Sequence, residues 1–289
     1  MSIARALLEQ AYRDACEVEL RAFKPGNVSI HSEGHDMTVE DFRRSAQASA
    51  PPLCDPALSL GERIYQAVLA TRETAGCNTN LGIILLAAPL LLACQVGRSE
   101  LPLRNNLFHV LEQTTREDAE WVFRAICLAE PGGLGESSEQ DVRAPPSVTL
   151  REAMNIAAHR DRIARQYITV YADVFDFAIP SYYKALSRWG DEEWAAVAVF
   201  AGLLKAIPDS HIERKFGTRY TRKVAERMAQ VDEALSAPVE SERLMQLLEE
   251  VDEEFKSSGI NPGTTADLTV TCLLAVRLES LWPVKAAGG

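Results

Sequence analysis

The chain has 289 residues, 47% hydrophobic and 25% charged, with a formal net charge of −11. Such a composition supports a folded core and shows no sign of general disorder. The acidity speaks against wrapping nucleic acid or lying on an anionic membrane, both of which need clustered Lys and Arg. A local basic patch on a small phosphorylated ligand stays open. The length allows one large domain or two small ones. Six cysteines, none spaced as CxxC, read as buried free thiols in a reducing compartment rather than as a zinc site.

Almost every periodic segment reads as helix. From Ile3 to Ala22 apolar residues recur at helical spacing, and Arg5, Glu9, Arg13, Asp14, Glu17 and Glu19 break any apolar run a signal peptide would need. Thr38 with Asp41 forms a capping-box variant that opens a helix through about Ala48. The stretch APPLCDP, Ala50 to Pro56, reads as a linker. Ser59 with Glu62 opens the next helix, which ends near Ala75 with Gly76 beyond it. Asn78 to Asn80 are placed to cap a helix from Leu81. The run LGIILLAAPLLLACQVG, Leu81 to Gly97, falls short of the roughly 20 residues of a membrane span. It is expected as a buried central helix with a kink at Pro89.

Thr115 with Asp118 and Thr149 with Glu152 repeat the start signal, and a long connection from Pro131 to Ser147 lies between them. From about Arg160 to Leu204 helix alternates with turns near Ala178 to Pro180 and at Gly190. Further helices are expected over Thr218 to Leu235, Ser241 to Lys256 and Thr265 to Leu281. No run has the alternation of a strand, and nothing repeats at a fixed period. The expected fold is all-α. It is a single multi-helix globular domain over residues 1–289, with a central apolar helix and a polar cleft built from inter-helix connections. The expected location is the cytoplasm.

Four connections carry unusual polarity. In FKPGNVSIHSEGHDM, Pro25-Gly26 makes a turn, and Gly34 permits close approach of the backbone to a ligand. His35 and Asp36 precede a helix whose first amides favour an anion, and Asp36 could hold Mg²⁺ or orient His35. A solvated loop explains the same residues. In GCNTNLG, Gly76 to Gly82, ordinary capping is the simpler explanation. In PDSHIERKFG and the residues after it, Arg214, Lys215, Arg219, Arg222 and Lys223 face only Glu213 among acids. Phosphate binding is favoured there over a solvated helix face. In NPGTTAD, Asn261 to Asp267, Thr264 with Asp267 can cap the last helix, and a ligand site fits as well. The glycines of PGGLGESSEQDV, Pro131 to Val142, have the wrong spacing for a dinucleotide fingerprint and no strand before them. There is no P-loop, HExxH or GxSxG, and His109 and His159 sit in helical text as structural residues.

In this order on a helical chain, KPGNV, GHDM, CNTNLG, PDSHIERKFG and NPGTTADL resemble the triphosphoribosyl-dephospho-CoA synthase family, and the resemblance spans nearly the whole chain. It implies an all-helical transferase dependent on Mg²⁺ and ATP. In that family the ribose 2′-hydroxyl of dephospho-CoA attacks the anomeric carbon of ATP's ribose, adenine leaves, and the triphosphate stays on the transferred sugar.

The resemblance implies that Asp36, Asp209 and Asp267 are metal-binding or transition-state carboxylates, and that His35 or His211 moves the proton. Glu17 would face the same cleft. Lys24, Arg214 and Lys215 would hold phosphate, and Asn78, Thr79 and Asn80 would bind sugar or base. Gly26, Asn27, Ser210, Asn261, Gly263 and Thr264 complete the nucleotide-binding set. Asn80-Leu81 stand where the family commonly has His-Lys, and Phe216-Gly217 where it has Gly-Gly. These departures resemble a divergent branch linked to tetrahydromethanopterin- and methanofuran-type one-carbon pathways. The alternatives are a homologue acting on another coenzyme-like acceptor and a non-catalytic nucleotide-binding protein. A homodimer is compatible with the apolar helices, and no nucleic acid or membrane partner is expected.

Overall fold

In the computed structural model, which describes residues 3–34, 37–131, 140–237 and 241–282, helices begin where the capping chemistry lies. The first half holds α1 (Arg5–Arg21), α2 (Val39–Leu53), α3 (Leu60–Ala75), α4 (Leu81–Val96), α5 (Leu103–Glu112), α6 (Arg116–Ala129) and α7 (Leu150–Ala157). The second half holds α8 (Arg162–Thr169), a π-helical turn (Asp173–Ala178), α9 (Ile179–Trp189), α10 (Glu192–Ala206) and α11 (Ser210–Phe216). A 3-10 turn (Gly217–Tyr220) then leads into α12 (Thr221–Ser236), α13 (Ser241–Ser257) and α14 (Gly263–Leu281). Thr38, Ser59, Thr115 and Thr149 each exchange hydrogen bonds with the acid three residues on, closing the expected capping boxes. Gly76 and Gly190 end α3 and α9 with φ of 73° and 64°, the left-handed geometry that glycine takes without strain. Among the described residues, β pairing is confined to isolated bridges, Ser29 with Ser32 and Gly34 with Met37.

Some boundaries depart from the sequence expectation. Helix α2 does not stop near Ala48 but runs through Pro51 and Pro52 to Leu53. Both prolines fall in its last turn, where fewer intrahelical bonds are lost, and Ala50 and Leu53 are fully buried beneath them. No turn separates residues 178 to 180, because the π-helical turn feeds directly into α9 and Pro180 occupies its first turn, where its missing N–H costs little. Of the six thiols, which are all free, Cys77 is partly exposed and Cys127 exposed.

Among the described residues one large hydrophobic cluster takes side chains from α1 through α14, and a small second one joins Leu20, Val28 and Val39. Helix α14 runs through the centre of the large one, packed on α1, α4, α9 and α10. Helix α4 is buried along most of its length, as expected. Pro89 has no amide to offer the Leu85 carbonyl four residues back; the Tyr167 hydroxyl donates to that carbonyl at 2.6 Å, and the Tyr171 hydroxyl donates to Leu86 O at 2.9 Å. Arg63, fully buried, donates to the carbonyls of Leu53, Asp55 and Leu58 and to Gln95 Oε1, which fixes the α2–α3 connection. No single helix among the described residues is long and apolar enough to cross a membrane.

Candidate active site

Three of the four polar connections meet at one end of the helices, together with the described part of the first. Lys24 turns inward, and its Nζ donates to the carbonyls of Glu19, Ala22 and Val28 at 2.6, 3.2 and 3.1 Å while pairing with Glu19 Oε1 at 3.3 Å. Its three protons thus staple the end of α1 to the turn. Burial opposes charge on both partners, pushing the Lys24 pKa down and the Glu19 pKa up, and their mutual attraction works against this. Gly26 sits at φ 81°, and its amide donates to Asp252 Oδ1 at 2.8 Å. A Cβ there would lie 2.9 Å from Ile260 O, so only glycine lets this turn press on the α13–α14 loop. Asn27 Nδ2 reaches Asn261 Oδ1 at 2.9 Å across the same seam.

Asp209 joins the third connection to the fourth. Its Oδ1 accepts from the amides of His211 and Ile212, capping α11, at 2.9 and 3.1 Å. Its Oδ2 accepts from the amide and hydroxyl of Thr265 in the first turn of α14, both at 2.8 Å. One carboxylate thereby caps two helices. Burial raises its pKa, and those donors hold it down. The expected capping of α14 by Thr264 and Asp267 does not occur: Thr264 Oγ1 instead lies 3.1 Å from Ser210 Oγ. This leaves Asp267 available to the interior.

The connections surround a cavity of about 900 Å³, at the upper end of the range for small-molecule sites. Asp267 lines it, and no described side chain or amide hydrogen-bonds its carboxylate. Burial drives its pKa well above the usual carboxylate range; Glu19, Asp209 and Asp161 add to the rise, and Arg214 opposes it. Asp267 packs against the first turn of α4 at Gly82, where a Cβ would fall 2.0 Å from Oδ2. The positive end of the α4 dipole therefore faces this carboxylate. Around it the wall carries Glu19, Asp161, His211, Glu213 and Arg214. Asp161 caps α8 through the amides of Ile163 and Ala164, and its other oxygen lies 3.5 Å from the Arg214 guanidinium.

Of the site residues expected from the sequence, Asn27, Asn78, Thr79, His211, Arg214, Asn261, Gly263, Thr264 and Asp267 line the cavity. His35 and Asp36 lie outside the described residues. Glu17 is drawn away by a two-pronged bond to Arg43, at 2.9 and 2.8 Å, which also lowers its pKa. The buried acid two residues on, Glu19, takes the place in the wall expected for Glu17. Lys24 has its donors spent on carbonyls, and Lys215 leans over the Phe216 ring toward Gly259 O. Gly26, Asn80, Asp209 and Ser210 support the wall from behind. Asn80 bonds Thr71 and Ser49 rather than capping α4, and Asn78 Oδ1 takes the Leu81 amide instead. The sequence reading missed Glu19, Arg72, Asp161 and Arg160. It set aside His159, which lines the cavity just after α7. An His-Arg-Asp triplet between two helix patterns was the available signal.

A resident metal is poorly served by these residues. Asp209 has both oxygens occupied, and no group of three metal-ligating side chains forms among the described residues.

A cavity lined by carboxylates, an imidazole and a guanidinium, set among helix starts, is chemically suited to a small phosphorylated molecule. Residues 5–286 match the family described as CitG: ATP:dephospho-CoA triphosphoribosyl transferase. The chain belongs to this family and is a triphosphoribosyl transferase. A crystal structure from Archaeoglobus fulgidus, provisionally assigned as a triphosphoribosyl-dephospho-CoA synthase, is similar at 25% identity and a TM-score of 0.61, covering 80% of this chain and 96% of that one. No curated protein matches the chain.

Proposed function

We propose that the cavity performs the family transfer with Asp267 as its central carboxylate. The acceptor ribose oxygen bonds to C1′ of ATP while the bond from C1′ to the adenine nitrogen breaks. The hydroxyl proton passes to a base, and a proton is returned to the departing adenine. The reacting sugar gains oxocarbenium character, which an adjacent carboxylate stabilises. Asp267 suits this role because it lines the cavity without a hydrogen-bond partner among the described residues. His211, in the same wall, is the described candidate for proton transfer, and Arg214 for phosphate. His35 and Asp36 share these roles on the family resemblance alone. Mg²⁺ would enter on the triphosphate as part of the substrate.

Dephospho-CoA is the favoured acceptor. The second reading is another coenzyme-like acceptor of the tetrahydromethanopterin or methanofuran type, in one-carbon metabolism. It is supported by Asn80 and Leu81 replacing the His-Lys pair, with Asn80 turned away from the cavity toward Thr71 and Ser49. A non-catalytic binding protein is disfavoured, since a half-buried carboxylate with no hydrogen-bond partner among the described residues costs stability without catalysis in return. The free thiols favour a cytoplasmic location. The exposed apolar residues Leu7, Ile30, Val96, Phe108 and Tyr183 lie on separate elements and lend a homodimer no particular support. The deciding experiment incubates the protein with ATP, Mg²⁺ and dephospho-CoA. Free adenine with a triphosphoribosyl mass gain on the acceptor is expected; ATP binding without adenine release refutes the assignment of dephospho-CoA.

A further inference from the structure

The wall of the cavity changes character away from Asp267. Helix α6 contributes Val122, Phe123, Ile126 and Ala129, and α7 contributes Leu150, Ala153, Met154 and Ala157. Each set recurs at three- or four-residue steps, so each forms one helical face, and the two helices pack as neighbours. Apolar side chains that border open volume lack the dispersion contacts of a filled core, and such space favours an apolar occupant over water.

The shape of the arm selects among the parts of the two substrates. Phe123 is the one aromatic ring in these two faces, and the other seven side chains are Val122, Ile126, Leu150, Met154 and three alanines. A purine favours stacking on aromatic faces, whereas small aliphatic walls suit a thin chain. The arm also has a direction. Along α7 it passes Ala153 and Ala157 and arrives at His159, Arg160 and Asp161, which line the same cavity next to the Arg214–Asp161 pair. The ligand that fits thus has a flexible chain with aliphatic surface at one end and anionic groups at the other. Dephospho-CoA has this form, with a pantetheine chain on the pyrophosphate of an adenosine. The chain carries about four residues' worth of backbone atoms, ~14 Å extended. From Leu150 to Ala157 the apolar face of α7 spans ~10 Å at ~1.5 Å per residue, with the turn to Arg160 beyond it.

We infer that the arm between α6 and α7 binds the pantetheine chain of the acceptor, with its pyrophosphate at the 159–161 turn and its ribose toward Asp267. This rests on the proposed function for the acceptor's identity. Its test, however, is a binding measurement that does not need turnover.

Titration calorimetry of the whole protein with dephospho-CoA, with 4′-phosphopantetheine and with ATP separates the possibilities. The wild type is expected to bind all three, and dephospho-CoA to displace phosphopantetheine where ATP does not. Ala153→Trp, which fills the arm, is expected to weaken both pantetheine ligands at least about tenfold and to leave ATP within about twofold. Weakened ATP binding instead would assign the arm to the donor's base and overturn the inference. So would unchanged dephospho-CoA binding in the variant, or a wild type that ignores phosphopantetheine. If Ala153→Trp fails to fold, Ala157→Leu on the same face of α7 gives the same comparison and decides in its place. Binding as expected without adenine release keeps the arm and removes the catalytic proposal.

Discussion

Asp209 and Asp267 stand on the two motifs that meet at the start of α14, and they face opposite situations. Asp209 is saturated, with its two oxygens taking donors from α11 and α14. Asp267 has no such donor among the described residues and borders the cavity. A carboxylate whose lone pairs are already used holds helices together, and one whose lone pairs are unused can meet a substrate. Both look alike as letters beside a helix start, so residue type alone cannot separate scaffold from chemistry.

The contrast can be broken most forcefully at Asp209. Asp209→Ala strands the amides of His211, Ile212 and Thr265 in the interior, and a loss of about 3–4 kcal/mol in urea unfolding is expected from two lost caps and unpaired donors. A loss under about 1 kcal/mol would remove its structural role. Asp267→Asn should do the reverse. Adenine release is expected to fall by about 10²–10³, the loss seen when one transition-state contact is removed, while unfolding stability holds or rises. Unchanged kcat in this variant would end the catalytic assignment.

Gly82→Ala sharpens the same point at smaller scale. Its Cβ would overlap the Asp267 carboxylate and also meet Ile163 Cδ1 at 2.8 Å. Activity should fall about tenfold in the wild-type background and very little further when Asp267 is already alanine, because contacting residues couple. Equal losses in both backgrounds would show that Gly82 acts through packing alone. The mildest effect is on pH. The folded-state pKa of Asp267 is raised, so its contribution to stability is full below the unfolded value near 3.8 and is lost as pH rises through the folded value. From pH 4 upward the wild type should therefore lose stability relative to Asp267→Asn; parallel stability curves would contradict the raised pKa.

Much of the fold was legible because helix starts are local. Thr38, Ser59, Thr115 and Thr149 announce themselves with an acid three residues later, and all four capping boxes form. The site was legible in part, since motifs on the connections mark a neighbourhood without giving the direction of each side chain. Lys24 looked like a phosphate ligand, but its carbonyl partners come from the end of α1 and the following turn, which only folding brings together. Glu17 and Glu19 differ by two positions on one helix, which rotates one to solvent and Arg43 and the other to the cavity. Asp161 escaped notice and His159 reads as structural in the sequence, because the turn after α7 marks its polar residues only by the His-Arg-Asp triplet itself.

The hydroxyls that reach into α4 also bear on the order in which the molecule assembles. The segment around Pro89 is among the most apolar in the chain and invites an early, local collapse. Yet the carbonyl of Leu85, which Pro89 cannot serve, is met by the Tyr167 hydroxyl, 82 positions further along, and Tyr171, 85 positions beyond Leu86, adds a second bond to the same turn. The Leu85 carbonyl of α4 thus stays without its partner until a distant part of the chain has docked. Final consolidation of the helix carries the entropic cost of a long loop and belongs to the late stages of folding.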